Sequence, residues 1–368
     1  MAADPLTVRQ LNRATLARQM LLARERVGVV DAVERLGGLQ AQEAKPAFVA
    51  LWARLEGFER EQLRRALHDR EVVRALLMRA TLHIVSAADH AALRGALRPV
   101  MTGALRALRG RDEGLDIDAL LPVARKLAAE QPRTFGELRP LLSEAFPGVN
   151  ARALGYAVRT HLPLVMVPTG DAWAFPSDAA FAPADTWLDA PAEVDDGAAT
   201  LVRRHLAAFG PASAADVQAW SGLTGLKAVL EGMADDLVTF RDERGGTLYD
   251  LPDAPRPDAD IAAPPRLLPE FDSLVLAHDD RSRVVADEHR GKLVTKNLRV
   301  RATFLVDGFV AGTWTVTRKG KKATLTLTPF ARLPRGVRAP LTEEAEALLR
   351  FTEGADAAVD VKVGPVGD

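Results

Sequence analysis

The sequence predicts an α+β protein that is mainly α, with a smaller β-rich part towards its C-terminus. Apolar residues recur at helical spacing through most of the chain up to Met233, whereas alternating, strand-like patterns concentrate after Arg299. The 368 residues are 48% hydrophobic, which is enough for two or three domains with cores of their own.

Residues 111–184 show the order of elements of a winged helix. A helix is predicted from Ile117 to Glu130, and a second begins at the capping-type Thr134. Asn150 caps a third helix that runs to His161. The stretch from Leu164 to Phe175 then alternates around a turn at residues 169–171, which predicts a hairpin.

The same order recurs, which predicts three tandem winged-helix modules. In residues 197–256, three helices are followed by a hairpin that turns at Gly245-Gly246. Its elements are expected at Ala198 to Phe209, Ser213 to Ser221, Thr224 to Met233 and Leu237 to Leu251. A less regular copy is predicted in residues 1–110, with helices near Val8 to Leu22 and Val29 to Arg35 and a strand at Thr81 to Val85.

The remaining parts of the chain are a short linker and a basic β-rich element. Residues 185–196 are rich in proline and alanine and carry acids that indicate an acidic linker, namely Asp185, Asp189, Glu193, Asp195 and Asp196. Residues 257–368 predict a small antiparallel sheet followed by a helix around Glu343 to Glu346. Its strands are expected at Arg299 to Val306, Phe309 to Val316 and Lys322 to Leu327.

Positive charge is concentrated in this last element, although the whole chain has a net charge of −1. Between Arg281 and Arg338 there are 14 Lys or Arg and three acids, a local net of +11. Such a segment is typical of phosphate binding, and a solvated charged face is the alternative. The candidate phosphate contacts are the turn residues Arg318, Lys319, Lys321 and Lys322, together with Arg281 and Arg283 on a predicted strand. For Arg281 and Arg283 the alternative is a surface ion pair with Asp279, Asp280 or Asp287.

Two amides, Gln40 and Gln42, stand one residue apart just after Gly37-Gly38, where a helical pattern ends. Extended backbone would direct both amides into one cavity. A neutral amide pair can hold a water and stabilise a partial positive charge, but it cannot donate a full proton as a carboxylic acid does. This restricts catalysis to substrates that already carry a good leaving group. Capping of backbone groups at the helix end is the alternative.

Several classes of protein are excluded by what the sequence lacks. There is no cysteine, hence no disulfide, zinc finger or thiol catalysis. No glycine-rich phosphate loop, nucleophile elbow or metal-ligand spacing is present, so we expect no metal and no cofactor. No apolar stretch is long enough for a membrane span and no signal peptide is evident, so a cytoplasmic protein without membrane partners is expected.

Four separated blocks resemble the winged-helix DNA glycosylases of the AlkZ type, over residues 8–330. They are Gly38-Leu39-Gln40-Ala41-Gln42, Arg79-Ala80-Thr81-Leu82-His83, Phe209-Gly210-Pro211 followed by Asp216 and Trp220, and Leu268-Pro269-Glu270-Phe271-Asp272 before Arg281-Ser282-Arg283. The resemblance implies three winged-helix modules and a β-rich element in a C shape around double-stranded DNA. Where relatives commonly have glycine, this chain has Ala80.

The resemblance also implies an activity and assigns residues to it. Gln40 and Gln42 match the catalytic Gln-x-Gln motif. Because the second position of the motif holds Gln42 and not an acid, the chain resembles the branch that confers self-resistance to a genotoxic metabolite. Arg79 and His83 would contact DNA in the same cleft, with a buried core histidine as the alternative for His83. The expected function is that of a monomeric, monofunctional DNA glycosylase that removes alkylated purines such as N7-alkylguanine, with interstrand crosslinks left open as further substrates. A winged-helix transcription regulator and a non-catalytic adduct-binding protein remain as alternatives, although the predicted recognition helices are poor in charge.

Overall fold

The computed structural model describes residues 4–108, 110–191, 193, 197–354 and 357–367. Within these ranges the chain forms a mixed α and β fold. The α-helices are α1 Val8–Arg18, α2 Val29–Arg35, α3 Ala44–Arg54, α4 Arg60–His68, α5 Ala87–Ala96, α6 Arg98–Gly103, α7 Ile117–Glu130, α8 Phe135–Ala145, α9 Ala151–His161, α10 Ala184–Leu188, α11 Gly197–Phe209, α12 Ala214–Ser221, α13 Leu226–Gly232 and α14 Arg338–Glu353. The strands are β1 Leu39–Gln40, β2 Val72–Leu76, β3 Leu82–Ser86, β4 Leu164–Met166, β5 Phe181–Pro183, β6 Val238–Arg241, β7 Thr247–Asp250, β8 Arg266–Leu268, β9 Thr303–Val306, β10 Phe309–Lys319, β11 Lys322–Pro329 and β12 Ala358–Val363.

The predicted helix starts are confirmed where a side chain caps the backbone. Thr134 accepts from the backbone N–H of Glu137, whose carboxylate accepts from the N–H of Thr134 in return. Asn150 likewise accepts from two N–H groups at the start of α9, and Ser213 begins α12 through the same kind of reciprocal cap. These caps fix where the helices begin because they satisfy N–H groups that have no partner within the helix.

The predicted hairpin from Leu164 to Phe175 is wrong in its pairing. The turn exists, since the N–H of Thr169 donates to the carbonyl of Ala174 at 2.6 Å. However, β4 pairs with β5, which begins only at Phe181. Pro168 and Pro176 lie in the intervening stretch and have no N–H for a strand ladder, so the chain returns to the sheet later than its alternation suggested.

One antiparallel sheet joins the first two predicted modules. Its strand order is β1-β3-β2-β4-β5, so β4 and β5 from the second predicted module extend the sheet of the first. In the third predicted module, β6 and β7 form the expected hairpin with Gly245 in the turn at a positive φ of 80°. The sheet shared by the first two modules places α9 close to the N-terminal strands that carry the amide pair.

The acidic stretch between residues 185 and 196 is partly structured. Its first residues belong to α10, and Asp185 pairs with Arg125 on α7. Glu193 pairs with Arg94 and Arg98 at 3.1 and 2.8 Å. Asp195 and Asp196 lie outside the described residues.

The C-terminal sheet contains the three predicted strands and two more at its edges. Its order is β12-β11-β10-β9-β8, and the pairs from β8 to β11 are antiparallel as predicted. The β11–β12 pair is parallel, so a purely antiparallel sheet was the wrong prediction. The reason is α14, which lies between these two strands in the chain and supplies the crossover that a parallel pair requires.

Two buried ion pairs attach the N-terminal helices to later parts of the chain. Arg54, at the end of α3, contacts both carboxylate oxygens of Asp272 at 2.9 Å, and both side chains are only 2% exposed. Arg18 of α1 makes a similar two-point contact with Asp250 at the end of β7. Because each pair is buried and bidentate, it fixes the orientation of the elements it joins. Among the described residues, no helix combines the length and apolar character needed to span a membrane.

Candidate active site

The loop that carries the two amides begins at a close approach between Gly38 and β3. Gly38 has a φ of 86°, and a Cβ there would lie 2.8 Å from Cγ1 of Val85. A larger residue would therefore separate β1 from β3. With glycine, β1 pairs with β3 in a register that places Gln40 opposite His83, and the N–H of Ala41 donates to the carbonyl of Leu82 at 2.7 Å.

Gln40 and Gln42 line the same cleft, which has a volume of about 660 Å³. Gln40 is 8% exposed, and its Oε1 accepts a hydrogen bond from Nη2 of Arg79 at 2.6 Å. Gln42 is exposed, and its Oε1 receives a longer contact of 3.3 Å from the N–H of Leu82. The two amides therefore differ: Gln40 is held by a charged donor, whereas Gln42 faces the cleft more freely.

Arg79 connects the cleft to the third predicted module. Besides its bond to Gln40, Nη1 donates to the backbone carbonyl of Trp220 at the end of α12. Burial, with a smaller contribution from the charge of Arg281, lowers the pKa of Arg79 to about 10, so the guanidinium remains charged at neutral pH. Arg79 and Ala80 both have positive φ values, 55° and 54°. Glycine adopts this backbone more readily than alanine, so Ala80 holds a conformation that glycine would occupy with less strain.

Arg74 is a site residue that the sequence reasoning missed. It lies on β2 and is 4% exposed, with Nε donating to the carbonyl of Ala41 at 2.8 Å and Nη2 to the carbonyl of Gln42 at 3.0 Å. Its guanidinium also lies 4.9 Å from the ring centre of Phe175. Burial, with a smaller contribution from Arg159, lowers the pKa of Arg74 to about 10. The signal in the sequence was a single charge within the apolar run from Val72 to Met78.

His83 lies beneath the amide loop and is fully buried, which matches the alternative given for it above. Nδ1 is 3.0 Å from the carbonyl of Thr81, and the residue is not among those that line the cleft. Burial, together with the charge of Arg79, lowers the pKa of His83 to about 3. The imidazole is therefore neutral at physiological pH and supports the strand opposite Gln40.

The other walls of the cleft come from α9 and from the C-terminal element. Tyr156, Arg159 and Thr160 line one side, and Phe271, Leu276 and residues 297–300 line the other. Arg299 spans the cleft, because Nη2 contacts Glu43 at 2.8 Å and Glu270 at 2.6 Å. The lining includes three arginines, Arg79, Arg159 and Arg299, and one acid, Glu43.

The structure separates the predicted phosphate contacts into different environments. The strand predicted for Arg281 and Arg283 is a 3-10 helix, Arg281–Arg283, in which the side chain of Asp280 accepts from the N–H of Ser282. Arg283 is 4% exposed, donates to the carbonyl of Pro211 at 2.8 Å and lies 3.9 Å from Asp216, so it faces the protein interior and not a phosphate or the surface acids. Arg281 is half-buried, and burial lowers its pKa.

The predicted basic hairpin tip is present between β10 and β11. Lys319 pairs with Lys322 across the tip, and Gly320 has a φ of 59°. Arg318 makes a two-point contact with Glu353, at 2.5 and 2.8 Å, and Lys322 lies 3.1 Å from Asp360. Lys319 and Lys321 are exposed at the tip. In the part of the chain that the structure describes, no cluster of three or more acidic or histidine side chains is placed to hold a metal ion.

A polar cleft lined by two amides and three arginines, within a fold built from helices and small sheets, is the candidate site. A sequence model of the family described as "DNA glycosylase AlkZ-like" matches residues 33–351. The chain therefore belongs to the AlkZ-like DNA glycosylase family, and it is accordingly an enzyme of the class that hydrolyses N-glycosyl bonds.

Two comparisons with individual proteins agree with this assignment. The chain is 27% identical to the "Interstrand DNA cross-link repair glycosylase" of Streptomyces sahachiroi, over 89% of this chain and 92% of that protein. It also superposes on the solved structure of Streptomyces sahachiroi DNA glycosylase AlkZ with a TM-score of 0.80 and 20% identity, covering 98% of this chain and all of the other. The second comparison shows that the two proteins share a fold.

Proposed function

We propose that this protein is a monofunctional DNA glycosylase that removes alkylated purines, above all N7-alkylguanine, from double-stranded DNA. The observation that carries the proposal is that the side-chain amides of Gln40 and Gln42 line one cleft and that Arg79 and Arg74 hold their loop in place. The lining of this cleft, as far as the chain is described, contains no lysine that would attack the sugar. We expect an abasic site as the product.

The chemistry fits an amide pair because the substrate carries its own leaving group. Alkylation at N7 makes guanine cationic, so the C1′–N9 bond breaks with its electron pair going to the base, which leaves as a neutral molecule. The sugar becomes positively charged in the transition state and is attacked by water, whose proton passes to solvent. Gln42, which is exposed in the cleft, would accept a hydrogen bond from this water and stabilise the sugar. Gln40, held by Arg79, would orient the water or the deoxyribose.

The arrangement of the modules around DNA is part of the same proposal. We propose that three winged-helix modules and the β-rich element form a C shape around the duplex, with the basic hairpin tip at Lys319 and Lys321 following the DNA backbone. The arginines of the cleft support this, since phosphate contacts position a protein on DNA. We expect the enzyme to act as a monomer in the cytoplasm.

Bulky adducts and interstrand crosslinks are proposed as substrates, with self-resistance to a genotoxic metabolite as the biological role. The named activity of the Streptomyces sahachiroi relative supports crosslinks as substrates. The open cleft supports bulky adducts, because its walls come from separate parts of the chain and leave about 660 Å³ free. A duplex with two N7-linked guanines would be unhooked if the proposal is right.

The deciding experiment measures base release from a duplex that contains one N7-methylguanine. Wild type, Gln40→Ala and Gln42→Ala are compared at saturating protein, with Gln131→Ala as a control because Gln131 is an exposed amide at the end of α7. We expect abasic-site formation by the wild type and the control, and losses of about 10² to 10³ in the two cleft variants.

Three other outcomes would contradict the proposed mechanism or the proposed function. A covalent enzyme–DNA product trapped with borohydride would show a lysine or amine nucleophile and contradict the monofunctional mechanism. Tight binding without base release would indicate an adduct-binding protein. A dimer that protects a palindromic site, without base release, would indicate a transcription regulator.

A further inference from the structure

Leu298 is an apolar side chain held out into the cleft. It is 80% exposed, compared with 53% for Val366 and 41% for Ile261, the other exposed large apolar residues of the described chain. It lines the same cleft as Gln40 and Gln42. A single exposed leucine is ordinary on a protein surface, so its position needs a second observation before it indicates a function.

The second observation is the backbone that carries it. Leu298 has a φ of 59°, in the left-handed region that glycine or asparagine favours and a branched apolar residue does not. Neither burial nor backbone preference therefore explains a leucine at this position. Strain of this kind concentrates at sites of function, where contact with a ligand compensates for it.

The turn that presents Leu298 is firmly built. Its N–H donates to the carbonyl of Thr295 at 2.9 Å, and the N–H of Thr295 donates to the carbonyl of Arg299 at 2.9 Å. Hydroxyl Oγ1 of Thr295 also accepts from the N–H of Arg299 at 3.1 Å. The buried residues Leu293 and Val300 anchor the two ends of the turn. Leu298 is thus a fixed projection and not the tip of a loose loop.

Charges around the turn match a DNA ligand. Lys296 and Asn297 are exposed beside Leu298, and Arg299 contacts Glu43, the residue after Gln42. The turn therefore faces the amide loop across the cleft, with one exposed lysine, Lys296, beside an apolar tip. Duplex DNA presents the complementary arrangement, with phosphates outside and apolar base faces within. Proteins that distort DNA insert leucine and similar side chains between base steps in this way.

We propose that Leu298 is a wedge that enters the duplex at the base step beside the damaged nucleotide and holds that nucleotide against Gln40 and Gln42. The proposal rests on the proposed glycosylase function. Leu298 is a positioning residue, because it would contact neighbouring bases and perform no proton transfer or bond cleavage. Its removal should reduce productive placement of the substrate more than it reduces binding to phosphates.

The test uses the full chain and a duplex with N7-methylguanine next to 2-aminopurine, whose fluorescence rises when its stacking is disrupted. Leu298→Gly removes the side chain and also suits the positive φ, so its thermal midpoint should not fall. Leu298→Met replaces leucine by an unbranched apolar side chain of similar size, and Val366→Gly removes another exposed apolar side chain as a control. We expect binding to raise the fluorescence for the wild type, Leu298→Met and Val366→Gly. The rise should be lost in Leu298→Gly, whose kcat/KM for base release should fall about tenfold because unstacking requires an inserted group.

The outcomes separate this proposal from the glycosylase function. If the wild type releases the base and Leu298→Gly equals it in fluorescence and kcat/KM, the wedge is wrong and the glycosylase function stands. If no protein releases the base but the fluorescence still depends on residue 298, the wedge is supported and the glycosylase function fails. A wild type that does not bind the duplex would overturn both.

Discussion

At the scale of single residues, Arg74 determines where the Gln42 side chain can lie. Its guanidinium donates to the backbone carbonyls of Ala41 and Gln42, at 2.8 and 3.0 Å, from a position that is almost inaccessible to water. Within the described part of the chain, the side chain of Gln42 has only the 3.3 Å contact from the N–H of Leu82. The backbone, held from β2, therefore sets the direction of the amide.

Replacing Arg74 by methionine should reduce both stability and base release. The change leaves the carbonyls of Ala41 and Gln42 without their charged donor, and we expect a loss of about 2–3 kcal/mol in the free energy of unfolding. Urea denaturation measures this loss, and single-turnover base release measures the effect on the site. Arg65→Met, at an exposed position on α4, is the matched control and should change neither. Equal stability and activity of Arg74→Met and Arg65→Met would contradict the role given to Arg74.

At the scale of elements, the β10–β11 hairpin carries four cations that differ in how available they are to bind phosphate. Arg318 and Lys322 are paired with Glu353 and Asp360 on neighbouring elements, whereas Lys319 and Lys321 stand at the tip. The sequence alone presented four equivalent cations. The structure indicates that the two at the tip are more available to phosphate.

The double variant Lys319→Ala/Lys321→Ala should weaken DNA binding and flatten its dependence on salt. Each lost phosphate contact reduces the slope of log K against log [salt] by about 0.9, so the pair should reduce it by roughly 1.8. Titrations of a labelled duplex at several salt concentrations measure the slope. Arg318→Ala should have a smaller effect because Glu353 already occupies its guanidinium, and Lys126→Ala on α7 is the control. An unchanged slope in the double variant would remove the hairpin tip from the proposed interface.

Elements fixed by local signals were predictable, and elements fixed by distant pairing were not. Helix starts were predictable at Thr134, Asn150 and Ser213, because each capping side chain binds a backbone N–H within the next three residues. β5 was missed because its partner β4 lies beyond a long excursion, and the parallel β12 because its pairing depends on α14.

The site was predictable to the extent that its groups are adjacent in sequence. Gln40 and Gln42 belong to one short motif, and the prediction that they lie at one cavity is confirmed by the cleft they share. Arg74 and Leu298 reach the same place from distant strands and turns. In addition, Leu298 occupies a backbone conformation for which leucine is a poor sequence signal.

At the scale of the whole molecule, the core holds four histidines that burial keeps neutral. Burial is the largest cause that lowers the pKa of each, to about 3 for His83 and His278 and to about 4 for His90 and His205. In the unfolded chain a histidine has a pKa of about 6.5. Between these values the unfolded state binds more protons than the folded state, so stability falls as the pH drops from about 6.5 towards 4.

We therefore expect the protein to be acid-labile, and His90 offers a direct test. Well within this window each histidine should reduce the free energy of unfolding by about 1.4 kcal/mol per pH unit. His90, on α5, is fully buried, and neither of its ring nitrogens has a hydrogen-bond partner among the described residues. His90→Leu thus removes a titrating group without removing a hydrogen bond. Urea denaturation at pH 7 and pH 5 should show a smaller loss for His90→Leu than for the wild type, by roughly 2 kcal/mol. Equal losses in the two proteins would mean that His90 does not titrate on unfolding in this range, and that its burial does not contribute to the acid sensitivity.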